Sequence, residues 1–166
     1  MPAPAERLAF LRDVRLFTAF AEADLAAIAQ RLHERTLKKH QVLFREGEAG
    51  DEMYLILGGT VLVSKIVKAK VEQVLNRIGP GEFFGEMSLL DGSPRSATIQ
   101  AETDTALLVL DRPSLNQLIE TSPHAAAAFF YAMVHVFIAR LRQSDVRLTE
   151  ATRWGLEATG LDVESR

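Results

Sequence analysis

Between Thr36 and Asp111 the chain is a succession of short β-branched runs cut by glycine. The runs are Gln41–Phe44, Met53–Leu57, Thr60–Val67, Val71–Ile78, Ala97–Ala101 and Ala106–Leu110. The punctuation is Gly47, Gly50-Asp51, Gly58-Gly59, Gly79-Pro80-Gly81 and Asp91-Gly92. Val, Ile and Thr suit a pleated, half-buried surface, and Gly and Asp suit tight turns. Strands this short with turns between them predict an antiparallel sandwich or barrel. A parallel sheet needs a crossover of about a dozen residues or more between strands, usually a helix, and no helix-length segment alternates with these runs.

Helical texture flanks this block on both sides. Leu8, Leu11 and Val14 lie at helical spacing, and Leu25, Ile28, Ala29 and Leu32 follow the i, i+3, i+4, i+7 pattern. Beyond the strands, Asp111 is placed to cap a helix that has Pro113 in its first turn and Leu115, Leu118 and Ile119 facing inward. Ser122-Pro123 stops that helix and starts another, expected to run to about Thr149. In this last helix Phe130, Val134, Phe137, Leu141, Ser144 and Leu148 alternate at spacings of four and three, a heptad seam with one polar interruption. Phe129, Met133 and Val136 make a second apolar stripe beside it. One stripe can pack on the chain's own core while the other meets a partner, which predicts a homodimer through Phe130, Val134, Phe137 and Leu141. A single wide stripe packed internally is the alternative. The expected division is therefore 1–35 N-terminal helices, 36–111 strands, 112–150 C-terminal helices and 151–166 a tail too short for a second domain.

The densest run of chemistry-bearing residues is Phe83-Phe84-Gly85-Glu86-Met87-Ser88-Leu89-Leu90-Asp91-Gly92-Ser93-Pro94-Arg95-Ser96-Ala97-Thr98. Gly85 permits close approach of a backbone or ligand. Glu86 to Leu90 form one helical turn readily, and Asp91-Gly92 ends it. A short helix starting at glycine presents unpaired N–H groups to an anion. Arg95 follows Glu86 by nine residues, so the chain can fold back and set both side chains around one ligand. A guanidinium fork matches two phosphate oxygens. A carboxylate accepts from sugar hydroxyls and repels phosphate. Together the two describe a nucleotide monophosphate pocket, although the same pair could instead neutralise each other as a partly buried ion pair.

With these residues in register, the chain resembles the cyclic nucleotide-binding domain family, which includes bacterial cAMP receptor proteins and the regulatory subunits of cAMP-dependent protein kinase. Residues 84–98 resemble the family's phosphate-binding cassette. The run from Phe44 through Gly47, Gly50-Asp51 and Tyr54 to Gly58-Gly59 resembles its first strands and turns. The resemblance implies a mainly β fold with flanking α: an antiparallel jelly-roll β-roll of about eight strands, N-terminal helices and a long C-terminal helix. It implies that Glu86 accepts from the ribose 2′-hydroxyl and that Arg95 pairs with the cyclic phosphate. The N–H groups of Gly85, Met87 and Ala97 are candidates to touch ribose or phosphate, with Ser88 in the same turn. Ser96 could bond near the phosphate or the base. Arg95-Ser96-Ala97 resembles bacterial cAMP-binding members, so cAMP is expected over cGMP, with cGMP possible. Trp154 could stack on the base as a lid, or be a tail residue packed on a neighbour. An empty pocket on a structural or dimerisation module is the alternative function.

Other classes find little support. Lys+Arg is 19 against Asp+Glu 22, a net charge of −3, where nucleic-acid binders usually carry a basic excess. No cysteine is present, which removes disulfides and thiolate metal sites. His33, His40, His124 and His135 are scattered, so no metal is expected. There is no Gly-x-Ser-x-Gly elbow and no P-loop, and an enzyme is not expected. The most apolar stretch, Ala125 to Ala139, falls short of the roughly 20 residues of a membrane span. A cytoplasmic sensor with an unidentified effector protein, and with no nucleic-acid or membrane partner, is the expectation.

Overall fold

In the computed structural model the described residues are 4–68 and 71–158. Two helices come first, α1 (Pro4–Asp13) and α2 (Glu22–Ala29), joined by a single 3-10 turn at Arg15–Phe17. Eight strands follow: β1 (His33–Leu37), β2 (Val42–Phe44), β3 (Glu52–Gly58), β4 (Val61–Lys68), β5 (Val71–Ile78), β6 (Phe83–Phe84), β7 (Thr98–Ala101) and β8 (Thr105–Asp111). Helix α3 (Glu86–Asp91) interrupts them between β6 and β7, and α4 (Arg112–Thr121) and α5 (Pro123–Ala158) close the chain. The strands pair antiparallel in two four-stranded sheets, ordered β1-β8-β3-β6 and β2-β7-β4-β5. This is the mainly β, antiparallel jelly-roll β-roll with flanking helices expected above.

Alternation decides which side chains fill the roll. Leu107 and Val109 of β8 join Tyr54 and Ile56 of β3 in one buried cluster with Leu37, Phe44, Val61, Phe84, Ile99 and Ala101. Because strand side chains alternate faces, Leu108 and Leu110 take the other side of β8, as Met53 and Leu55 do on β3. All four are buried too, and α3 and α4 pack against these strands. Burial on both faces explains why β3 and β8 read as continuous apolar runs.

Two elements depart from the sequence pattern. Strand β1 begins at His33, ahead of the run at Gln41–Phe44, and its His-Glu-Arg-Thr-Leu sequence buries only Leu37. A sheet edge of mostly polar residues carries no period-two apolar signal. Strand β6 is two residues long and is bounded by α3.

Asp111 caps α4 as expected, its Oδ1 accepting the Ser114 N–H at 2.7 Å, with Pro113 in the first turn. Leu115 and Leu118 face inward, but Ile119, expected with them, is exposed. Ser122 ends α4 and its carbonyl accepts from the Ala126 N–H at 3.0 Å, so α5 starts at once. Helix α5 runs on to Ala158, past the expected end at Thr149 and through Gly155. The chain divides into one compact unit up to Phe129 and a second from Phe130. Within the second, Phe130, Val134 and Leu141 are exposed, Phe137 is half-buried, and the Tyr131 and His135 rings meet edge-on at 4.5 Å. By length and composition Pro123–Gly155 is apolar enough to cross a membrane, with an 18-residue window of mean hydropathy 1.4. The count from Ala125 to Ala139 takes in a shorter stretch, and a soluble protein's core helix can meet the same measure.

Candidate functional site

Strand β6 delivers the chain to Gly85, whose φ is +80°. A Cβ there would lie 2.9 Å from Arg95 Nη1 and 2.9 Å from the Glu52 carbonyl oxygen. Both the left-handed backbone and the lack of space demand glycine. Helix α3 then makes its short turn and closes at Gly92, φ +73°, whose N–H donates to the Ser88 carbonyl at 3.1 Å. Asp91 accepts from the Ser93 N–H at 2.8 Å and the Ser93 hydroxyl at 2.7 Å, which holds its carboxyl below the ordinary range and fixes the exit from the turn.

The chain after that exit is pinned by its backbone. Arg95 N–H donates to the Glu48 carbonyl at 2.8 Å, and Gly47 N–H donates to the Arg95 carbonyl at 2.9 Å. These bonds turn the Arg95 side chain inward, and the residue is 4% exposed. Its Nη1 donates to the Glu52 carbonyl at 2.7 Å and the Gly85 carbonyl at 3.3 Å, and Nη2 reaches the Tyr54 hydroxyl at 3.5 Å. The guanidinium carbon sits 4.1 Å over the Phe44 ring and 5.5 Å from the Tyr54 ring centre. Gly50 leaves the room for it, since a Cβ there would overlap the guanidinium. Burial pulls the Arg95 pKa below its ordinary value, opposed by Tyr54, Glu52 and Asp51. Among the described residues its Nε is buried without a hydrogen-bond partner, as are those of Arg7, Arg31 and Arg112; only that of Arg95 lies in the turn that follows the cassette helix. A buried, unsatisfied N–H is costly, and an anion is the partner that a guanidinium edge fits best.

Behind Arg95 stands a second polar group. Arg35 of β1 grips Glu52 with both nitrogens at 2.8 Å, and its Nη1 also lies 3.2 Å from the Tyr54 hydroxyl. The Tyr54 hydroxyl donates to Glu52. Burial, and next its bond to Glu52, raise the Tyr54 pKa, so the phenol stays neutral. Burial favours the neutral form of Glu52 as well, but the bonds from Arg35 and Tyr54 outweigh it and hold the carboxyl below its ordinary value. The Tyr54 ring stacks on Phe84 at 5.1 Å. Arg35, Gly50 and Glu52 lie outside the cassette sequence and enter the site from β1, from the turn before β3 and from β3. One signal was available: Glu52 and Tyr54 are two apart in β3 and so share a face.

The other site residues sort by exposure. Glu86 opens α3 and is buried at 4% exposure, as is Ser88 at 3%. The Ser88 carbonyl accepts from Gly92 N–H and from Arg112 Nη2, so that part of Ser88 serves the turn itself. Met87 and Ser96 are exposed and Ala97 is half-buried. Gly85, Glu86 and Arg95 thus belong to one turn and its return, with Gly85 and Arg95 in direct contact. Trp154 is 72% exposed. Among the described residues no group of three or more His, Asp or Glu is placed to hold a metal ion.

Comparisons with known proteins agree with this geometry. The family described as the cyclic nucleotide-binding domain matches residues 34–122, more than half of the chain. A cyclic nucleotide-gated potassium channel of Mesorhizobium japonicum is 40% identical over 116 residues, covering 70% of this chain and 31% of the channel. The cyclic AMP receptor protein of Thermus thermophilus is 33% identical over 133 residues, covering 80% of this chain and 60% of the receptor. The chain therefore spans less than two thirds of these relatives' lengths. Among solved structures, a cyclic nucleotide-binding domain from Methylobacillus flagellatus superposes with a TM-score of 0.77 at 30% identity, covering 89% of this chain and 83% of that one. Fold, cassette and buried arginine all point the same way, and the chain belongs to the cyclic nucleotide-binding domain family.

Proposed function

We propose that this regulatory domain takes up cAMP in preference to cGMP, and that binding reorganises the helices after Pro113. The observation that carries the reading is the Arg95 guanidinium, buried between the Phe44 ring and Gly50 with its Nε unpaired. In this reading Arg95 receives the cyclic phosphate and Glu86 accepts from the ribose 2′-hydroxyl. Backbone N–H groups of Gly85, Met87 and Ala97 complete the contacts. Ser88, buried in the same turn, and the exposed Ser96 complete the set in this reading, Ser96 with a bond near the phosphate or the base. The preference for cAMP rests on Ser96 following Arg95 and on relatives named for cyclic AMP.

The route outward runs through α3. Its first turn faces the ligand, and the Arg112 bond to Ser88 ties its last turn to α4. A nucleotide can drive a rearrangement only by binding one arrangement better than the other. The output surface in this reading is Phe130, Val134, Phe137 and Leu141, used in a homodimer and offered to an effector protein. The role is that of a binding switch in the cytoplasm, with no catalysis, no nucleic-acid contact and no membrane contact of its own.

Calorimetric titration tests the reading. Heat of binding with cAMP, weaker heat with cGMP, and none for Arg95→Ala is the expected pattern, with Glu86→Ala weakened less than Arg95→Ala. No heat with either nucleotide at high micromolar protein overturns it.

A further inference from the structure

We infer that Tyr54 is a positioning residue for nucleotide binding: its hydroxyl, oriented by Glu52 and Arg35, holds the Arg95 guanidinium in the pose that receives an anion. The inference rests on the reading of Arg95 as the phosphate ligand, and goes beyond it to residues outside the cassette.

The chain of contacts begins near the surface. Arg35 makes a two-pronged bond to Glu52, 2.8 Å at each prong, which fixes the plane of the carboxylate. An ionised carboxylate can only accept, so the Tyr54 proton is committed to Glu52. The oxygen lone pairs of Tyr54 are then left to face the two arginines, Arg35 Nη1 at 3.2 Å and Arg95 Nη2 at 3.5 Å. A phenol with no acidic neighbour could turn its proton toward Arg95 and repel it. Here that orientation is closed off.

Charge is arranged to the same end. Arg35 offsets the Glu52 carboxylate, while Glu52 touches Arg95 through its backbone carbonyl, at 2.7 Å. The hydrogen bonds that hold Arg95 come from the Glu52 carbonyl, the Gly85 carbonyl and the Tyr54 phenol, all neutral oxygens. They fix the guanidinium without consuming its charge. A guanidinium has five N–H donors, and among the described residues these bonds engage two on Nη1 and one on Nη2. What remains is Nε–H and one Nη2 N–H, the pair that two oxygens of one phosphate can meet.

Tyr54→Phe tests this directly, because it keeps the ring that stacks on Phe84 and removes only the hydroxyl. In the full chain the cAMP dissociation constant measured by calorimetry is expected to rise about threefold to tenfold, the effect of one hydrogen bond. A second measurement needs no nucleotide. Nitrogen-15 spectra of the arginine side chains, with Arg95 identified by its loss in Arg95→Lys, are expected to show slowly rotating Nη groups in the wild type. In Tyr54→Phe those signals should broaden together. Wild-type affinity in Tyr54→Phe, or weakened affinity with unaltered Arg95 signals, overturns the inference, the latter because it marks a merely structural effect. Should Tyr54→Phe not fold, Glu52→Gln removes the charge that orients the hydroxyl, and unchanged Arg95 signals in that variant overturn it equally. A wild type that takes up no cyclic nucleotide defeats the proposed function, and the spectra of Arg95 then decide the positioning role alone.

Discussion

The Arg112 guanidinium, at the first residue of α4, donates from Nη2 to the Ser88 carbonyl oxygen of α3 at 2.6 Å. A cation there also suits the negative end of a helix, and Gly92, which closes α3, lies against the same guanidinium. Two elements that are separated in sequence by β7 and β8 are thereby joined. Arg112→Met keeps most of the aliphatic stem and removes the bond, so it is expected to lower stability by about 1–2 kcal/mol. Urea denaturation should show the midpoint falling with the slope unchanged. In hydrogen exchange, added cAMP should slow the α4 amides of the wild type and have little effect on those of Arg112→Met. Equal slowing in both would remove Arg112 from the route.

Gly50 is held to glycine by space alone. Its φ is not among the positive ones, yet a Cβ would overlap the Arg95 guanidinium. Gly50→Ala is therefore expected to displace Arg95 while the turn itself survives. Loss of a charge-assisted bond weakens cAMP binding by roughly tenfold to a hundredfold, measurable by calorimetry. Undiminished affinity would mean that Arg95 binds from another pose. Gly85→Ala should cost more, because it adds a left-handed backbone to the collision.

These two glycines show how the site divides between what sequence reveals and what it hides. The cassette was legible because its parts are local: a glycine, one helical turn, an aspartate-glycine stop and an arginine nine residues past Glu86 all lie in one stretch. Phe44, Gly50, Glu52 and Tyr54 surround the same arginine but arrive from 41 to 51 positions earlier (95 minus 54, 95 minus 44), on β2, β3 and the turn between them. Arg35 comes from a strand whose polarity hides it. Short apolar or β-branched runs between glycines announced β2, β3, β4, β5, β7 and β8. Of these, β3 and β8 are buried on both faces, whereas β5 is exposed from Gln73 to Arg77 and was legible from its residue types and bounding turns alone. Strand β1 buries little, and β6 is too short to show a period. Ser122-Pro123 marks a helix boundary because proline cannot continue α4, whereas α5 passes through Gly155, since one glycine costs a helix interior only about 1 kcal/mol.

Acid should act through Glu52. Its folded pKa lies below the ordinary 4.5, so the folded state binds its proton less readily than the unfolded state does. The contribution of Glu52 to stability is then complete above about pH 4.5 and is lost as pH falls through the folded value. Asp111 follows the same sign: burial opposes ionisation, but the Ser114 bonds at the α4 cap outweigh it and lower the pKa. Urea midpoints measured from pH 6 down to pH 3 should fall steeply in the wild type and less steeply in Glu52→Gln. A Glu52→Gln curve parallel to the wild type would show that Arg35 and Tyr54 do not depend on the Glu52 charge.

The α5 seam yields a prediction about assembly. Phe130, Val134 and Leu141 are exposed at 38%, 52% and 64%, and with the half-buried Phe137 they recur at spacings of four, three and four. A stripe at that spacing, repeated over about three heptads, packs against a copy of itself through knobs and holes. Its centre is Phe137, where a charge cannot be accommodated in a dry seam without a partner. Phe137→Glu is expected to sediment as a monomer where the wild type sediments as a dimer. A Phe137→Glu mass equal to that of the wild type would place self-association, if any, elsewhere. The seam would then be left to a different protein, and the same substitution should block that protein instead.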